Sequence, residues 1–149
     1  MQLLDFFAIL CIGPLVGNEF AISMFVNPAI WKLDEVPQAK ALQLLARSLG
    51  RVMPFWYVCG LLLLAAETYV RCGNGHTHLL YAAVSIWVLA IVYTVTLLVP
   101  INNRIAKLDV DAPSAGWGSE HHRWDRLHRW RVGMLTVALG CLLWTVISH

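Results

Sequence analysis

The stretch LLYAAVSIWVLAIVYTVTLLV at residues 79–99 contains no Asp, Glu, Lys or Arg. A helix needs about 20 apolar residues to cross the hydrocarbon core of a bilayer, which is about 30 Å thick. Hydrocarbon offers no partner for backbone N–H and C=O groups, so a spanning segment must satisfy them within its own helix. The stretch therefore predicts a membrane-spanning helix.

Three further apolar stretches have the same character. They lie at 3–25, 53–70 and 134–147, the last within a predicted span of 131–148. Apolar residues make up 58% of the chain and charged residues 13%, against about 25% charged in soluble domains. A soluble bundle would show a polar stripe along each helix, and these stretches mostly lack one. The sequence thus predicts an all-α integral membrane protein with a single domain over 1–149. Short connections favour antiparallel neighbours, and hence an up-down-up-down four-helix bundle.

The distribution of positive charge predicts the orientation in the membrane. Lys and Arg are concentrated in the first and third connections: Lys32, Lys40, Arg47 and Arg51, then Arg104, Lys107, Arg123, Arg126, Arg129 and Arg131. The second connection holds only Arg71, and the termini hold none. Because cytoplasmic loops are enriched in Lys and Arg, the first and third connections are predicted to be cytoplasmic and both termini external. The net charge of +2 is too small to indicate nucleic-acid binding. The expected partner is the lipid bilayer, because the chain has four apolar spans.

The region before the second span predicts a longer helix than the span alone. Residues 38–51 carry apolar side chains at helical spacing, which predicts a cytoplasmic amphipathic extension of the second helix. Trp56 and Tyr57 follow it, at a position where aromatic side chains often lie at the membrane interface.

The first span contains two backbone signals. Asn27-Pro28 is expected to end or kink its helix, because a residue before proline disfavours the α conformation. Gly13 and Gly17 form a GxxxG pattern, whose groove allows close helix approach. Packing within the chain is the favoured interpretation of that groove, and homo-oligomerisation is the alternative.

Glu19 is the first candidate functional residue because it lies well inside the first span. A carboxylate at that depth costs roughly 2.5–3.5 kcal/mol unless it is paired or protonated. Glu19, Ser23 and Asn27 share one helix face, which differs from the face of Gly13 and Gly17. The spacing predicts a polar cavity on that face, with a purely structural Glu–Arg pair as the alternative.

A second group of candidates precedes the fourth span. His121, Asp125 and His128 fall at i, i+4 and i+7, and Trp124 and Arg131 extend the adjoining face. Histidine can exchange a proton near neutral pH, and arginine can hold an anionic oxygen. Two alternatives remain open. His121, Asp125 and His128 could bind a divalent transition metal, or the segment could be a solvated helix that contacts lipid headgroups.

Asn102, Asn103 and Arg104 form a third group at the end of the third span. Asparagine can cap helix carbonyls or orient a polar ligand. The first and third helices run toward the same membrane face, so these residues are expected at the depth of Asn27 and of the His128 segment. Convergence of three separate polar motifs exceeds what packing alone requires.

The segment PINNR at 100–104 and the pattern WxxxHxxR that begins at Trp124 resemble the anthrone oxygenase-like family of small four-span membrane proteins. The resemblance extends over nearly the whole chain. Characterised relatives convert an anthrone to an anthraquinone with molecular oxygen and are regarded as needing no flavin or haem. The resemblance therefore implies an oxygenase that acts on a small aromatic, anthrone-like or quinol-like, with oxygen as co-substrate and no other cofactor.

What this resemblance implies for individual residues follows from the chemistry. A base forms an electron-rich enolate that reacts with oxygen, and an oxyanion stabiliser holds its oxygen. Glu19 and His128 are the candidate bases, and Arg131 is the candidate anion-holding group. The expected substrate contacts are the remaining polar and aromatic candidates: Asn27, Asn102, Asn103, Arg104 and Trp124. The non-enzymatic alternative is a membrane scaffold whose polar cluster holds a lipid headgroup or a partner helix.

Overall fold

The computed structural model describes residues 2–73, 77–110 and 113–148. Within these ranges the chain forms four long helices and no strand: α1 (Gln2–Ile30), α2 (Glu35–Val70), α3 (Thr77–Ala106) and α4 (Trp117–Ile147). All four are long and apolar enough to cross a membrane. The predicted all-α membrane bundle is confirmed.

The four helices form a ring in which each packs on two neighbours. Helix α1 contacts α2 and α4, and α3 contacts the same two helices from the other side. Large apolar side chains remain exposed along the outer faces, as a lipid-facing surface requires; Phe6, Phe55, Leu62, Val92 and Trp144 are examples. The arrangement matches the predicted up-down-up-down topology.

The interior consists of two apolar clusters with a polar layer between them. The first cluster fills the half of the bundle that includes Ile12, Leu64, Trp87 and Leu135. The second lies at the opposite end, where α1, α2, α3 and the start of α4 meet: Ile30, Ala39, Leu42, Ala46, Ile101, Ile105 and Trp117. Buried polar side chains of α1 and α4 occupy the level between them: Glu19, Ser23, Asn27, His121, Asp125, His128 and Arg131.

Two of the helices contain a π turn at the level of this polar layer. The turns are Ile22–Val26 in α1 and Thr94–Leu98 in α3. In each helix a proline, Pro28 or Pro100, is the second residue after the π turn. Proline lacks an N–H and crowds the preceding turn, and a π turn is a local widening often found at functional sites. In α1 the π turn precedes Asn27-Pro28 and makes room for the proline ring. The helix continues past Asn27-Pro28 to Ile30 instead of ending there.

The predicted extension of the second helix is present. Helix α2 runs without interruption from Glu35 to Val70. In its first part Gln38, Ala39, Leu42 and Ala46 are buried, and this face packs on the last part of α3. The extension thus completes the second apolar cluster.

The interpretation of the GxxxG pattern as packing within the chain is wrong. A Cβ atom built on Gly13 or Gly17 would meet nothing within 4 Å beyond its chain neighbours and the backbone of its own helix turn. The bundle instead buries a different stripe of α1, which includes Ala8, Ile12 and Leu15. The glycine groove faces outward, and oligomerisation through it stays a prediction.

Candidate active site

Glu19 and Arg131 form a buried ion pair at the centre of the polar layer. Arg131 Nη2 lies 2.6 Å from Glu19 Oε2, and both side chains are buried, Glu19 at 2% exposure. The pair joins the first helix to the last. It supplies the partner that a carboxylate at this depth requires.

His128 packs against the same pair. Its Nε2 lies 3.2 Å from the backbone oxygen of Glu19, and a carbonyl oxygen only accepts hydrogen bonds, so this nitrogen carries a hydrogen. The other nitrogen, Nδ1, lies 2.9 Å from Arg131 Nη2 and 3.3 Å from Glu19 Oε2. In neutral His128, Nδ1 accepts from Arg131. After protonation, Nδ1 can donate to Glu19 instead.

Tyr57 is a site residue that was not predicted, since its position in the sequence indicated only an aromatic side chain near the membrane interface. Its hydroxyl donates to Glu19 Oε1 at 3.1 Å, and its ring lies 5.6 Å from Arg131 Cζ, within cation–π range. It is 6% exposed. Tyr57, Gly60, Leu64 and Glu67 are all buried at helical spacing along α2. Glu67 is the sequence signal for this face, because a carboxylate within a span faces the bundle interior.

The arginine also reaches the third helix. Arg131 Nη1 donates to Thr94 Oγ1 at 3.3 Å, and that hydroxyl donates to the carbonyl of Ala90 at 2.6 Å. Thr94 is the first residue of the π turn in α3. Side chains from all four helices thus meet around Arg131: Glu19, Tyr57, Thr94 and His128.

Asn27 and Asp125 form a second contact between α1 and α4. Asn27 Nδ2 donates to Asp125 Oδ1 at 2.8 Å, and Arg129 Nη2 donates to Asp125 Oδ2 at 2.9 Å. The predicted face of α4 is present, since His121, Asp125, His128 and Arg131 are all buried. The contact orients this face toward the interior.

The alternative of a transition-metal site requires His121, Asp125 and His128 to converge. Among residues 2–73, 77–110 and 113–148, no group of three or more His, Cys, Asp or Glu side chains is placed to hold a metal ion. Asp125 is held by Asn27 and Arg129, and the nitrogens of His128 face Glu19 and Arg131. The three residues share a helix face without forming a ligand set.

Aromatic rings stack along α4 beside the ion pair. The ring of Trp124 lies 4.6 Å from that of His128, at an interplanar angle of 11°. The ring of His121 also stacks on that of Trp124, with the ring centroids 5.4 Å apart and an interplanar angle of 13°. The stack holds the His128 ring in place and presents a flat apolar surface.

A cavity of about 410 Å³ opens next to these groups, within the size range of small-molecule sites. Seven of the predicted site residues line it: Glu19, Asn27, Asn102, Asn103, Trp124, His128 and Arg131. His121, Tyr57 and Thr94 line it too, and most of the other lining residues are aliphatic. A flat apolar molecule with a few polar atoms matches such a lining.

Arg104 is the one predicted substrate-binding residue that the fold does not bring to this cavity. Both ends of its guanidinium bind Glu120, at 2.9 Å from Nε and 2.9 Å from Nη2. Arg104 is 54% exposed in this pair. It lies in the last turn of α3, whose neighbouring residues Ile101 and Ile105 point inward, so Arg104 points outward.

Comparison with models of known protein families gives a match to this chain. The model of the family described as anthrone oxygenase matches residues 42–141, which is more than half of the chain. The matched region contains Tyr57, Thr94, His128 and Arg131, whereas Glu19 precedes it. No curated protein and no solved structure matches the chain.

Proposed function

We propose, from the premise that this chain belongs to the anthrone oxygenase family, that it is a membrane-embedded oxygenase of a small electron-rich aromatic. The substrate is anthrone-like or quinol-like, and molecular oxygen is the co-substrate. The observation that carries the proposal is the apolar cavity with Glu19, Tyr57, His128 and Arg131 on one wall. A scaffold would fill this space with side chains, whereas here a cavity of about 410 Å³ remains.

The proposed reaction begins with removal of a proton. An anthrone loses a proton from its methylene carbon, and the electron pair of that C–H bond becomes part of an enolate. The enolate transfers electrons to oxygen and forms a C–O bond, which gives a hydroperoxide once a proton returns. The hydroperoxide then loses water to become the quinone. One anthrone and one O₂ thus give one anthraquinone and one water.

Glu19 is the proposed proton acceptor, with the Tyr57 hydroxyl as the relay. The hydroxyl lies 3.1 Å from Glu19 Oε1 and belongs to a residue that lines the cavity. It can take a proton from the substrate as its own proton passes to Glu19. His128 stands beside the carboxylate, with Nδ1 3.3 Å from Oε2, and can accept the same proton in turn.

Arg131 is the proposed stabiliser of the enolate oxygen. Its Nη groups bind Glu19 and Thr94, while its Nε has no hydrogen-bond partner among the residues that the structure describes. A fixed positive charge in a site shielded from water strongly stabilises a developing anion. Asn102 and Asn103 at the cavity edge provide amide groups for further substrate oxygens, and Trp124 provides a stacking surface.

The proposed orientation places this site near the cytoplasmic face. The Lys and Arg residues of the first and third connections support it under the positive-inside rule. Cys72, which is exposed and follows α2, then faces outward. A membrane-impermeant maleimide should label Cys72 in intact cells, with a Cys72→Ser variant as the control. Labelling of Cys72 only in inverted vesicles would contradict the proposed orientation and support the opposite one.

The activity test is oxygen uptake by the purified protein in mild detergent, with anthrone and simple hydroquinones as substrates. Glu19→Gln should abolish uptake. Glu67→Gln is the matched control, because Glu67 is an equally buried glutamate of α2 that binds Arg71 away from the cavity. Equal uptake by wild type and Glu19→Gln would reject Glu19 as the base. No uptake with any substrate, together with an unaltered fold, would favour the scaffold.

Metal analysis of the same preparation separates the remaining alternative. Stoichiometric transition metal that is lost in His121→Ala and His128→Ala would replace the enolate mechanism with metal-dependent oxidation. Uptake that depends on Glu19 without any bound metal supports the enolate mechanism.

A further inference from the structure

The residues that line the cavity differ in exposure from one helix pair to the other. Helices α1 and α4 supply buried or half-buried residues to it, among them Glu19, Asn27, His128 and Arg131. In the described part of the chain, every exposed residue of the lining comes from α2 or α3: Gly50, Pro54, Val58, Val95, Val99 and Asn103. The cavity therefore opens on the side where α2 and α3 face each other.

The exposed residues form two regular edges. On α2 the exposed lining residues are four apart, at Gly50, Pro54 and Val58. On α3 the same spacing holds for Val95, Val99 and Asn103, so the exposed residues of each helix follow one line along it. Eight residues of helix correspond to about 12 Å. The opening is thus a slit between two antiparallel helices, long enough to admit a fused-ring aromatic edge-on.

Most of the slit lies at the depth of the hydrocarbon. Pro54, Val58, Val95 and Val99 belong to the apolar stretches 53–70 and 79–99. Val58 and Val95 are 54% and 58% exposed, although both line the cavity. A molecule dissolved among lipid tails therefore faces an apolar entrance to the site.

Helices α2 and α3 are held together at both ends of the slit. At the Gly50 end, α2 donates from Gln43 to Leu108 O at 2.6 Å and from Arg47 to Ala106 O at 2.9 Å. Asn102 donates in the other direction, to Ala46 O at 3.3 Å. At the far end, Trp87 Nε1 donates to Tyr57 O at 3.0 Å. The slit between α2 and α3 is therefore bounded at both ends by these hydrogen bonds.

We infer that the substrate enters from the bilayer through this slit, and is therefore a lipophilic ring compound whose oxygen-bearing ring leads into the site. The inference rests on the proposed function and names its substrate class. The leading ring reaches Glu19, Tyr57 and Arg131, while apolar substituents remain between Val58 and Val95. A water-soluble phenol lacks the apolar body that the entrance favours.

Substitutions at the edges of the slit test the entrance, because they narrow it without changing the polar side chains of the site. Val58→Trp and Val95→Trp each place a large ring on one edge. Val137→Trp is the matched control, since Val137 lies on α4 outside the cavity lining and is 55% exposed, like the two edge valines. All three substitutions add the same side chain at a lipid-facing position, so comparable thermal stability is expected.

Two readouts are measured on each protein. The first is the rise in Tm caused by decyl-1,4-benzoquinone, which binds without being oxidised and stabilises the folded form by mass action. The second is kcat/KM for decylhydroquinone from oxygen uptake in phosphatidylcholine liposomes, in which oxidation of one hydroquinone to the quinone reduces one O₂ to H₂O₂. The edge variants should lose the Tm rise and about tenfold or more in kcat/KM, whereas Val137→Trp should behave as wild type.

The outcomes separate entrance from chemistry. A Tm rise in wild type that the edge variants lose, without any oxygen uptake, would support the entrance while rejecting the oxygenase. Normal uptake and an unchanged Tm rise in both edge variants would overturn the entrance while leaving the oxygenase intact. A wild-type protein whose Tm does not respond to decyl-1,4-benzoquinone would also overturn it.

Discussion

Arg131 Nη2 lies 2.6 Å from Glu19 Oε2, which joins two residues 112 positions apart in the chain. The contact connects the first helix to the last. The same nitrogen lies 2.9 Å from His128 Nδ1, so one guanidinium organises both candidate bases. The stability of the bundle and the proposed chemistry therefore depend on the same pair, and variants of it can separate the two contributions.

Arg131→Met should destabilise the protein by about 3–5 kcal/mol, because it leaves a buried carboxylate without its partner. The double variant Glu19→Gln/Arg131→Met removes both charges and should regain most of that loss, yet remain inactive. Thermal unfolding in mild detergent and oxygen uptake measure the two effects. Recovered uptake in the double variant would contradict the proposed roles of both residues.

Tyr57→Phe should reduce activity while retaining the fold. The substitution keeps the ring beside Arg131 and removes the hydroxyl that binds Glu19 Oε1 at 3.1 Å. A hydrogen bond to a charged group contributes about 1.5–3 kcal/mol, so a measurable fall in Tm accompanies the fall in kcat. Tyr69→Phe is the matched control, since Tyr69 is 84% exposed on the same helix. Unchanged kcat in Tyr57→Phe would remove the tyrosine from the proton path.

A second buried ion pair lies at the other end of the bundle. Arg71 is 1% exposed and contacts both Asp5 and Glu67. Burial lowers the pKa of Arg71, but its hydrogen bonds to these carboxylates outweigh burial and raise the pKa above its usual value. The guanidinium is therefore charged at any pH at which the protein is handled.

Arg71→Met should destabilise the bundle by about 3–5 kcal/mol, since it leaves the buried Glu67 and the half-buried Asp5 without a cation. Glu67→Gln should be far milder, because Asp5 still pairs with Arg71 and an amide can accept from Arg71. Both variants should keep the kcat of wild type at a temperature where they are folded. Thermal unfolding and oxygen uptake on the same samples check this, and a selective loss of kcat would link the two ends of the bundle.

The sequence was enough to predict four spans, the length of α2 and the inward face of α4. Those features depend on hydropathy and on helical spacing, which act along a single helix. It was also enough to identify Glu19, because a carboxylate within a span requires a partner. A pairing of Glu19 with an arginine was only one of two interpretations, and the sequence did not identify which arginine it is.

The remaining features depend on how each helix is rotated about its axis. In a membrane protein both the lipid-facing and the core-facing sides are apolar, so hydropathy does not distinguish them. For this reason Gly13 and Gly17 could be expected inside, whereas they face outward. The contact of Tyr57 with the Glu19 carboxylate could not be predicted either, because it depends on which side of α2 faces the interior. The two π turns add to this difficulty, because each one shifts the faces of the helix beyond it.

Gly60→Ala tests whether the position of Tyr57 depends on the packing behind it. A Cβ atom at Gly60 would lie 2.7 Å from Cζ2 of Trp87, a residue that is fully buried and donates to the Tyr57 carbonyl at 3.0 Å. Overpacking of this kind costs typically about 1–3 kcal/mol, and movement of Trp87 displaces Tyr57 from Glu19. We expect a lower Tm together with a lower kcat for oxygen uptake.

Gly13→Ala is the control for the substitution at Gly60. It makes the same chemical change in the middle of a helix, but a Cβ atom there meets nothing within 4 Å. Alanine is the better helix former by about 1 kcal/mol, so Gly13→Ala should leave Tm unchanged or higher and kcat unchanged. If Gly60→Ala matched this control in both measurements, the contact between Gly60 and Trp87 would not position the tyrosine. A fall in Tm alone would show that Trp87 supports the fold while Tyr57 keeps its place on the carboxylate.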